Sequence, residues 1–471
     1  MNAEQQQSRL YQRLLFETST ESLRHGEGGE GGTQSSPREE RQAFTATDQA
    51  RALTKHLMEE VIDRDNLNRA YRQVKANRGA PGADGMTIAA AADWIAEHKE
   101  ELIASVLDGS YQPGPVRGVQ IPKPGGGMRQ LGIPTVIDRL VQQAILQVLG
   151  PLLDPTFSDS SYGFRPGRSA HDALHQAAKY VAEGRTIVVD MDLEKFFDRV
   201  NHDILMARLA RRIEDKRLLR IIRRFLEAGL MQAGVCTARH EGTPQGGPLS
   251  PLLANLLLDD LDRELERRGH AFCRYADDCN IYVRSRAAGE RALASLTKFL
   301  EGKLRQRVNR EKSAVAIVSE RKFLGYRLLT SGTLTIAPQS IQRAKDRIRQ
   351  ITRRNRGVSF ERVISELNSF TTGWVTYFRY AKGKRILSRL DSWVCRKLRC
   401  VRLKQRKRAV SIASFLQRLG VPKNRSWTTA ACGKGWWRMA YTPAAQQAMS
   451  NQWFQDQGLI GLAARYLELQ Q

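Results

Sequence analysis

Apolar positions along the chain recur with two different periods, and the change between them divides it. In residues 64–76 (RDNLNRAYRQVKA), Leu67, Ala70, Tyr71 and Val74 fall at i, i+3, i+4 and i+7, the spacing of one helix face. The same period returns in residues 138–150 (DRLVQQAILQVLG) and 217–229 (RLLRIIRRFLEAG). It continues through residues 250–269 (SPLLANLLLDDLDRELERRG), a long amphipathic helix that Gly269 is suited to cap. Among these helices lie strand-like runs: residues 186–198 read TIVVDMDLEKFFD, with four β-branched residues before the first acid, and residues 279–283 read CNIYV. Past Ser331 the strand signals fade. Residues 341–354, 360–381 and 386–408 predict three successive basic helices that bundle through their apolar faces. Residues 1–45, with the Gly, Glu and Ser-rich tract HGEGGEGGTQSSPREE at 25–40, predict a flexible tail.

Charge narrows the class of partner. The chain has 75 Lys plus Arg against 49 Asp plus Glu, a net charge of +26, so a polyanion is the first expectation, as it would be for a ribosomal or chromatin protein. No apolar run approaches a membrane span, and the N-terminus lacks a charged start followed by an apolar segment, which predicts a soluble intracellular protein with no membrane partner. The six cysteines, at 236, 273, 279, 395, 400 and 432, form no CxxC pair and suggest neither a zinc knuckle nor a disulfide framework.

The acids carry the chemistry. Residues 274–278 read RYADD, two adjacent carboxylates in a tight turn before a strand. Surface turns often contain Asp-Asp, so the upstream strand decides the matter. Side chains alternate along a strand, which projects Asp190 and Asp192 from the same side. A carboxylate at the end of a buried strand is costly unless a cation or donor compensates it. A strand-borne Asp with a hairpin-borne Asp-Asp is a hard, all-oxygen ligand set for two Mg²⁺ ions in phosphoryl or nucleotidyl transfer. Lys123 and Arg129 flank a Gly-rich turn at 125–127, a hairpin tip whose two cations suit a triphosphate.

In this order the motifs resemble the reverse transcriptases, specifically those encoded by group II introns, over about four-fifths of the chain. Residues 77–88 (NRGAPGADGMTI) resemble the family's N-terminal extension, and 121–134 (IPKPGGGMRQLGIP) and 159–174 (DSSYGFRPGRSAHDAL) its two fingers motifs. The segment with Asp192 is similar to palm motif A, residues 242–255 (GTPQGGPLSPLLAN) to motif B and RYADD to motif C. Residues 308–315 (VNREKSAV) and 323–328 (FLGYRL) resemble the motifs that close the palm. The resemblance implies an α/β (α+β) right-hand polymerase, with fingers and palm at 46–335, followed by an α-helical thumb or maturase domain at 336–415 that GWVTYF (373–378) marks. Residues 416–471 resemble the DNA-binding tail of such proteins.

The likeness also implies roles. Asp192 rather than Asp190 matches the motif A metal ligand, because Phe197 stands five residues after it, and Asp277 and Asp278 match the motif C pair. Phe197 is then the residue that excludes a 2′-hydroxyl and so selects dNTPs, with core packing beside Phe196 as the alternative. Lys123 and Arg129 contact the triphosphate, Gln245 lies near the nascent base pair beside Gly246 and Gly247, and Lys312 protonates the departing pyrophosphate. The basic stretch Arg396, Lys397, Arg399, Arg402, Lys404, Arg406, Lys407 and Arg408 is expected to track phosphates. Partners are group II intron RNA, an RNA template, a DNA primer or target, and dNTPs, with two Mg²⁺ ions as cofactor. The setting is the bacterial cytoplasm, nucleoid-associated as a ribonucleoprotein. Without a paired-cysteine endonuclease domain before Gln471, the chain is similar to the endonuclease-lacking bacterial class C type. A domesticated or defence-associated relative and a splicing factor with a decayed polymerase remain open alternatives.

Overall fold

The computed structural model describes residues 54–471 except 123–125, 233, 240 and 245, so the tail expected at 1–45 lies outside the described residues. Its strands are β1 (Val116–Pro122), β2 (Met128–Ile133), β3 (Ile187–Met191), β4 (Leu230–Gln232), β5 (Val235–Thr237), β6 (Ala271–Tyr275), β7 (Asp278–Val283), β8 (Ala314–Ile317), β9 (Tyr326–Leu328) and β10 (Leu334–Ile336). They form sheets of order β2-β1-β4-β5, β6-β7-β3-β8 and β10-β9. The chain divides into two compact units, one of residues up to 173 with 189–315 and one of residues 174–188 with 316–471.

In the first unit, β1 and β2 form an antiparallel hairpin with Ile121 opposite Arg129 and Pro122 opposite Met128, so its tip falls at the Gly-rich turn. Gly126 and Gly127 adopt φ of +92° and +80°, values open to glycine at little cost. The helix Arg64–Ala76 starts where the Asp63 carboxylate accepts from the N–H groups of Asp65 and Asn66, and it buries Leu67, Ala70, Tyr71 and Val74 as their spacing predicts. It packs on the helix Val136–Leu153, where Asn66 Nδ2 donates to Ala144 O at 3.1 Å. The expectation that no apolar run approaches a membrane span needs correction, because residues 136–156 meet that length and hydropathy and are 72% buried inside the protein. Apolar side chains on all its faces reflect neighbours on all its faces.

The helix Ser250–Arg267 buries a row of leucines, and with them Asn255 and Asp262, two polar residues that simple amphipathicity leaves outside a core. It leads into the β6/β7 hairpin, which pairs Tyr275 with Asp278 and Arg274 with Cys279. Strand β3 is shorter than residues 186–198 suggested. It ends at Met191, and the chain then turns through Lys195 at φ +49° into a single 3₁₀ turn, Phe196–Asp198.

In the second unit, the three predicted basic helices are Pro338–Ile351, Phe360–Tyr377 and Lys384–Gln405. Phe378 is buried, with ring centroids 4.7 Å from Trp374 and 4.9 Å from Tyr326, so the GWVTYF aromatics pack against one another and the β9/β10 hairpin. Tyr377 Oη donates to Leu324 O at 2.7 Å. Short helices follow to the C-terminus, and the last, Leu462–Glu468, packs on Lys384–Gln405.

Candidate functional site

A cavity of about 580 Å³ in the first unit gathers residues that are remote in sequence. The segment after β3 supplies Asp192 and the stretch to Asp198, and the β6/β7 turn supplies Asp277. The β1/β2 hairpin contributes Gln120, Met128, Arg129 and Gln130, and the loop before β8 contributes Asn309 and Lys312. Asp192, not Asp190, faces this space, because the strand has already ended where their alternation would count.

Main-chain bonds hold Asp192 in place. Asp192 N donates to Ser313 Oγ at 3.0 Å, and Asp192 O accepts from Asn309 N at 2.8 Å, which ties the segment after β3 to the loop carrying Lys312. Lys312 Nζ stands 3.5 Å from Asp192 Oδ2 with its side chain 66% exposed, so the pair is solvent-screened and adds little stability. Asp277 is half-buried in the turn, and Asp278 is exposed at the first position of β7 and does not line the cavity. Phe197 is half-buried and lines the cavity, whereas Phe196, stacked edge-on against it at 5.2 Å, is 2% exposed, so the two rings divide between site and core.

Among the described residues no group of three or more His, Cys, Asp or Glu side chains forms a cage for a metal ion. The donor set suits a different arrangement. Mg²⁺ is commonly held by one or two carboxylates together with substrate phosphates and water, and the oxygens of Asp192 and Asp277 fit that use. Arg129 is exposed on β2 and lines the same cavity. Lys123 and Gln245 lie outside the described residues.

Gly246 and Gly247 also have close neighbours inside the protein. A Cβ on Gly246 would stand 2.4 Å from Gly132 O, and one on Gly247 2.4 Å from Gln142 Oε1.

The basic stretch in the second unit does not form one free cationic row. Arg399 is 8% exposed and donates from Nε to Met449 O at 2.8 Å, so it serves the interior and is corrected out of a phosphate-tracking face. Arg402 lies over Phe360 at 5.1 Å and Arg406 over Phe415 at 4.3 Å, both half-buried. Arg396 lies 3.9 Å from the Trp437 ring centroid and 4.4 Å from that of Tyr441, with Lys397 5.2 Å from Trp437 and Lys404 5.3 Å from Trp436. Lys404, Lys407 and Arg408 are exposed. Sequence reasoning passed over the exposed Trp437 and Tyr441, and the scarcity of acids around the basic stretch extends further than that stretch, since no Asp or Glu occurs between Asp391 and Asp456, a span with 13 Lys plus Arg.

Residues 121–328 match the family model for reverse transcriptase (RNA-dependent DNA polymerase), and residues 341–420 that for the group II intron, maturase-specific domain. Protein YkfC of Escherichia coli (strain K12) is 33% identical over 327 residues, 61% of this chain and 86% of that protein. The group II intron-encoded protein LtrA of Lactococcus lactis subsp. cremoris is 38% identical over 195 residues, 41% of this chain and 32% of LtrA, so the matched span covers about a third of it. A chain of a solved partial Cas6-RT-Cas1--Cas2 complex aligns with a TM-score of 0.35 at 26% identity, covering 53% of this chain and 43% of that one.

Proposed function

Because the chain belongs to the group II intron-encoded reverse transcriptase/maturases, RNA-directed DNA polymerases that also assist splicing, we propose that Asp192, Asp277 and Asp278 form its polymerase centre. The observation that carries this reading is the convergence of Asp192, Asp277, Arg129, Phe197 and Lys312 on one cavity. In the reaction a primer 3′-hydroxyl attacks the α-phosphate of a dNTP on an RNA template, and pyrophosphate leaves.

Asp192, Asp277 and Asp278 are the residues that would hold two Mg²⁺ ions, which when bound lower the charge barrier at the attacking and leaving oxygens. Arg129, with Lys123 across the hairpin tip, binds and orients the triphosphate. Phe197 presents its ring where a ribose 2′-hydroxyl would lie and excludes it by contact. Gln245 acts beside the nascent base pair. Lys312, which lines the cavity, would deliver a proton to the leaving pyrophosphate.

In its maturase role the protein binds folded group II intron RNA through backbone and shape contacts, while the ribozyme does the splicing chemistry. The domain division follows the same reading, with fingers and palm to 335, thumb and maturase domain at 336–415, and a DNA-binding tail beyond it. The acid-free span after Asp391 supports contact with RNA and with a DNA primer or target strand, as target-primed insertion requires. These partners place it in the bacterial cytoplasm, on the nucleoid as a ribonucleoprotein.

Primer extension on an RNA template with dNTPs and Mg²⁺ tests the centre. Asp277→Ala and Asp278→Ala are expected to lower the rate by at least ~10³-fold, the scale of lost metal-borne charge stabilisation, while RNA affinity stays within error. A wild-type protein that binds RNA and extends no primer on any template would sink the polymerase reading and leave a binding-only maturase.

A further inference from the structure

Arg274, the first residue of RYADD, is the largest fully buried side chain among the described residues, at 0% exposure. A buried guanidinium has five N–H donors to satisfy, and here every one has an acceptor. Nε and Nη2 reach the two oxygens of Asp262 at 2.8 and 2.6 Å, and Nη2 also donates to Ser161 Oγ at 2.8 Å. Nη1 donates to Asn255 Oδ1 at 3.0 Å and to the main-chain oxygen of Ala276 at 2.9 Å. Burial works against the cation, but the Asp262 carboxylate and its hydrogen bonds outweigh that and hold the Arg274 pKa above its ordinary value.

The bond to Ala276 O has a position that the rest of the network lacks. Ala276 immediately precedes Asp277 and sits at φ +58°, a conformation that alanine keeps only when its surroundings impose it. On the other side of the turn a Cβ on Gly163 would meet Ala276 N at 2.3 Å, so the two backbones are in contact. Asn255 Nδ2 in turn donates to Gly163 O at 2.8 Å, which ties that backbone to the same network. The turn is thus gripped between the Gly163 main chain and the Arg274 guanidinium. A buried ion pair is a weak source of net stability compared with an apolar pair of the same volume. The chain nonetheless keeps one directly beneath its Asp-Asp turn.

We propose that Arg274 is a positioning residue of the polymerase, whose guanidinium fixes the Ala276–Asp277 peptide and thereby aims the acidic pair at the divalent cation. This inference rests on the reading of Asp277 and Asp278 as metal ligands. Asn255 and Ser161 orient the guanidinium, and Asp262 keeps it charged. Groups that orient metal ligands typically change metal affinity or activity by about 10- to 100-fold when removed.

The test uses the full chain with Arg274→Lys, Asn255→Ala and Asp277→Ala. Lysine keeps a charge for Asp262 but has no planar fork, so it cannot serve Asp262, Ser161, Asn255 and Ala276 O together. Mn²⁺ binding to the metal-free protein is followed by electron paramagnetic resonance, deuterium uptake by mass spectrometry of peptides spanning residues 275–279, and extension as a function of Mg²⁺. Arg274→Lys is expected to weaken Mn²⁺ binding about 10-fold, to raise the Mg²⁺ needed for half-maximal extension similarly, and to speed exchange at 275–279. The KM for dNTP should change less than kcat. Asn255→Ala, which leaves the ion pair intact, should shift all of these in the same direction by less, and it carries the test if the lysine variant does not fold. Wild-type Mn²⁺ affinity and exchange in the folded variants would overturn the positioning role. If Asp277→Ala itself binds Mn²⁺ and extends primers like wild type, the metal assignment has failed instead.

Discussion

Phe197 and Phe196 show how little separates a cavity wall from a core at this scale, since adjacent rings of one type differ in exposure, one half-buried and one 2% exposed. Phe197→Ala is expected to raise ribonucleotide over deoxyribonucleotide incorporation by about 10- to 100-fold, the range that a steric pocket of this size supplies. Single-nucleotide insertion kinetics with matched dNTP and rNTP will check it, and an unchanged ratio would return Phe197 to packing alone. Asp138 offers a different test. It is 1% exposed, accepts from Tyr111 Oη and Thr135 Oγ1 at 2.8 Å each, and burial pushes its pKa from 3.8 to about 6 against those bonds. A carboxyl with a raised pKa in the fold contributes stability that is full below its ordinary pKa and lost as pH rises through about 6. Wild-type stability relative to Asp138→Asn should therefore fall by about 2 kcal/mol between pH 4 and pH 7.5, measured by urea denaturation, and a flat difference would refute it. Asp192 and Asp277 were legible in the sequence because strand-like flanks and motif order mark them. Arg274 was not, because an arginine in a turn motif reads as solvated, and its acceptors Ser161, Asn255 and Asp262 lie far from it along the chain.

Elements were legible where their cause is local and less so where it is not. The helix Arg64–Ala76 declares itself by period and by its Asp63 cap. The helix Leu462–Glu468 has no side-chain cap from Gly461, and its first N–H groups are taken instead by Asp391, with bonds of 2.8 Å to Leu462 N and 2.9 Å to Ala463 N. No local pattern announces a cap delivered from another helix. Asp391→Ala is expected to cost about 1–2 kcal/mol, as for loss of an ordinary N-cap, and to loosen the C-terminal helix first. Thermal melts with deuterium exchange across residues 459–469 will show whether that segment opens early. Strand β3 reads too long in sequence for a related reason. Apolar and aromatic residues continue to Phe197, yet Lys195 takes a left-handed conformation and the chain turns, which composition does not encode.

At the scale of the whole chain, the succession of α/β and then helical segments is visible from the two periods, but residues 174–188 join the C-terminal unit through contacts that no local period reports. Net charge acts at this scale too. With +26 charges, RNA affinity should fall steeply with salt. Replacing Lys404, Lys407 and Arg408 with Ala should each reduce the slope of log affinity against log salt by about 1, read by fluorescence anisotropy. Arg399→Ala should instead lower thermal stability, because that side chain is committed to Met449 O. The buried fork of Arg274 has one further consequence, for how such a chain can diverge. Its four partners come from three separate segments, and replacing any one of the three side-chain partners alone strands a donor or a charge in the core. Single-step drift at Ser161, Asn255, Asp262 or Arg274 therefore leads downhill before it leads anywhere new, and descendants that keep the activity are confined to ones that inherit the set together or replace it together.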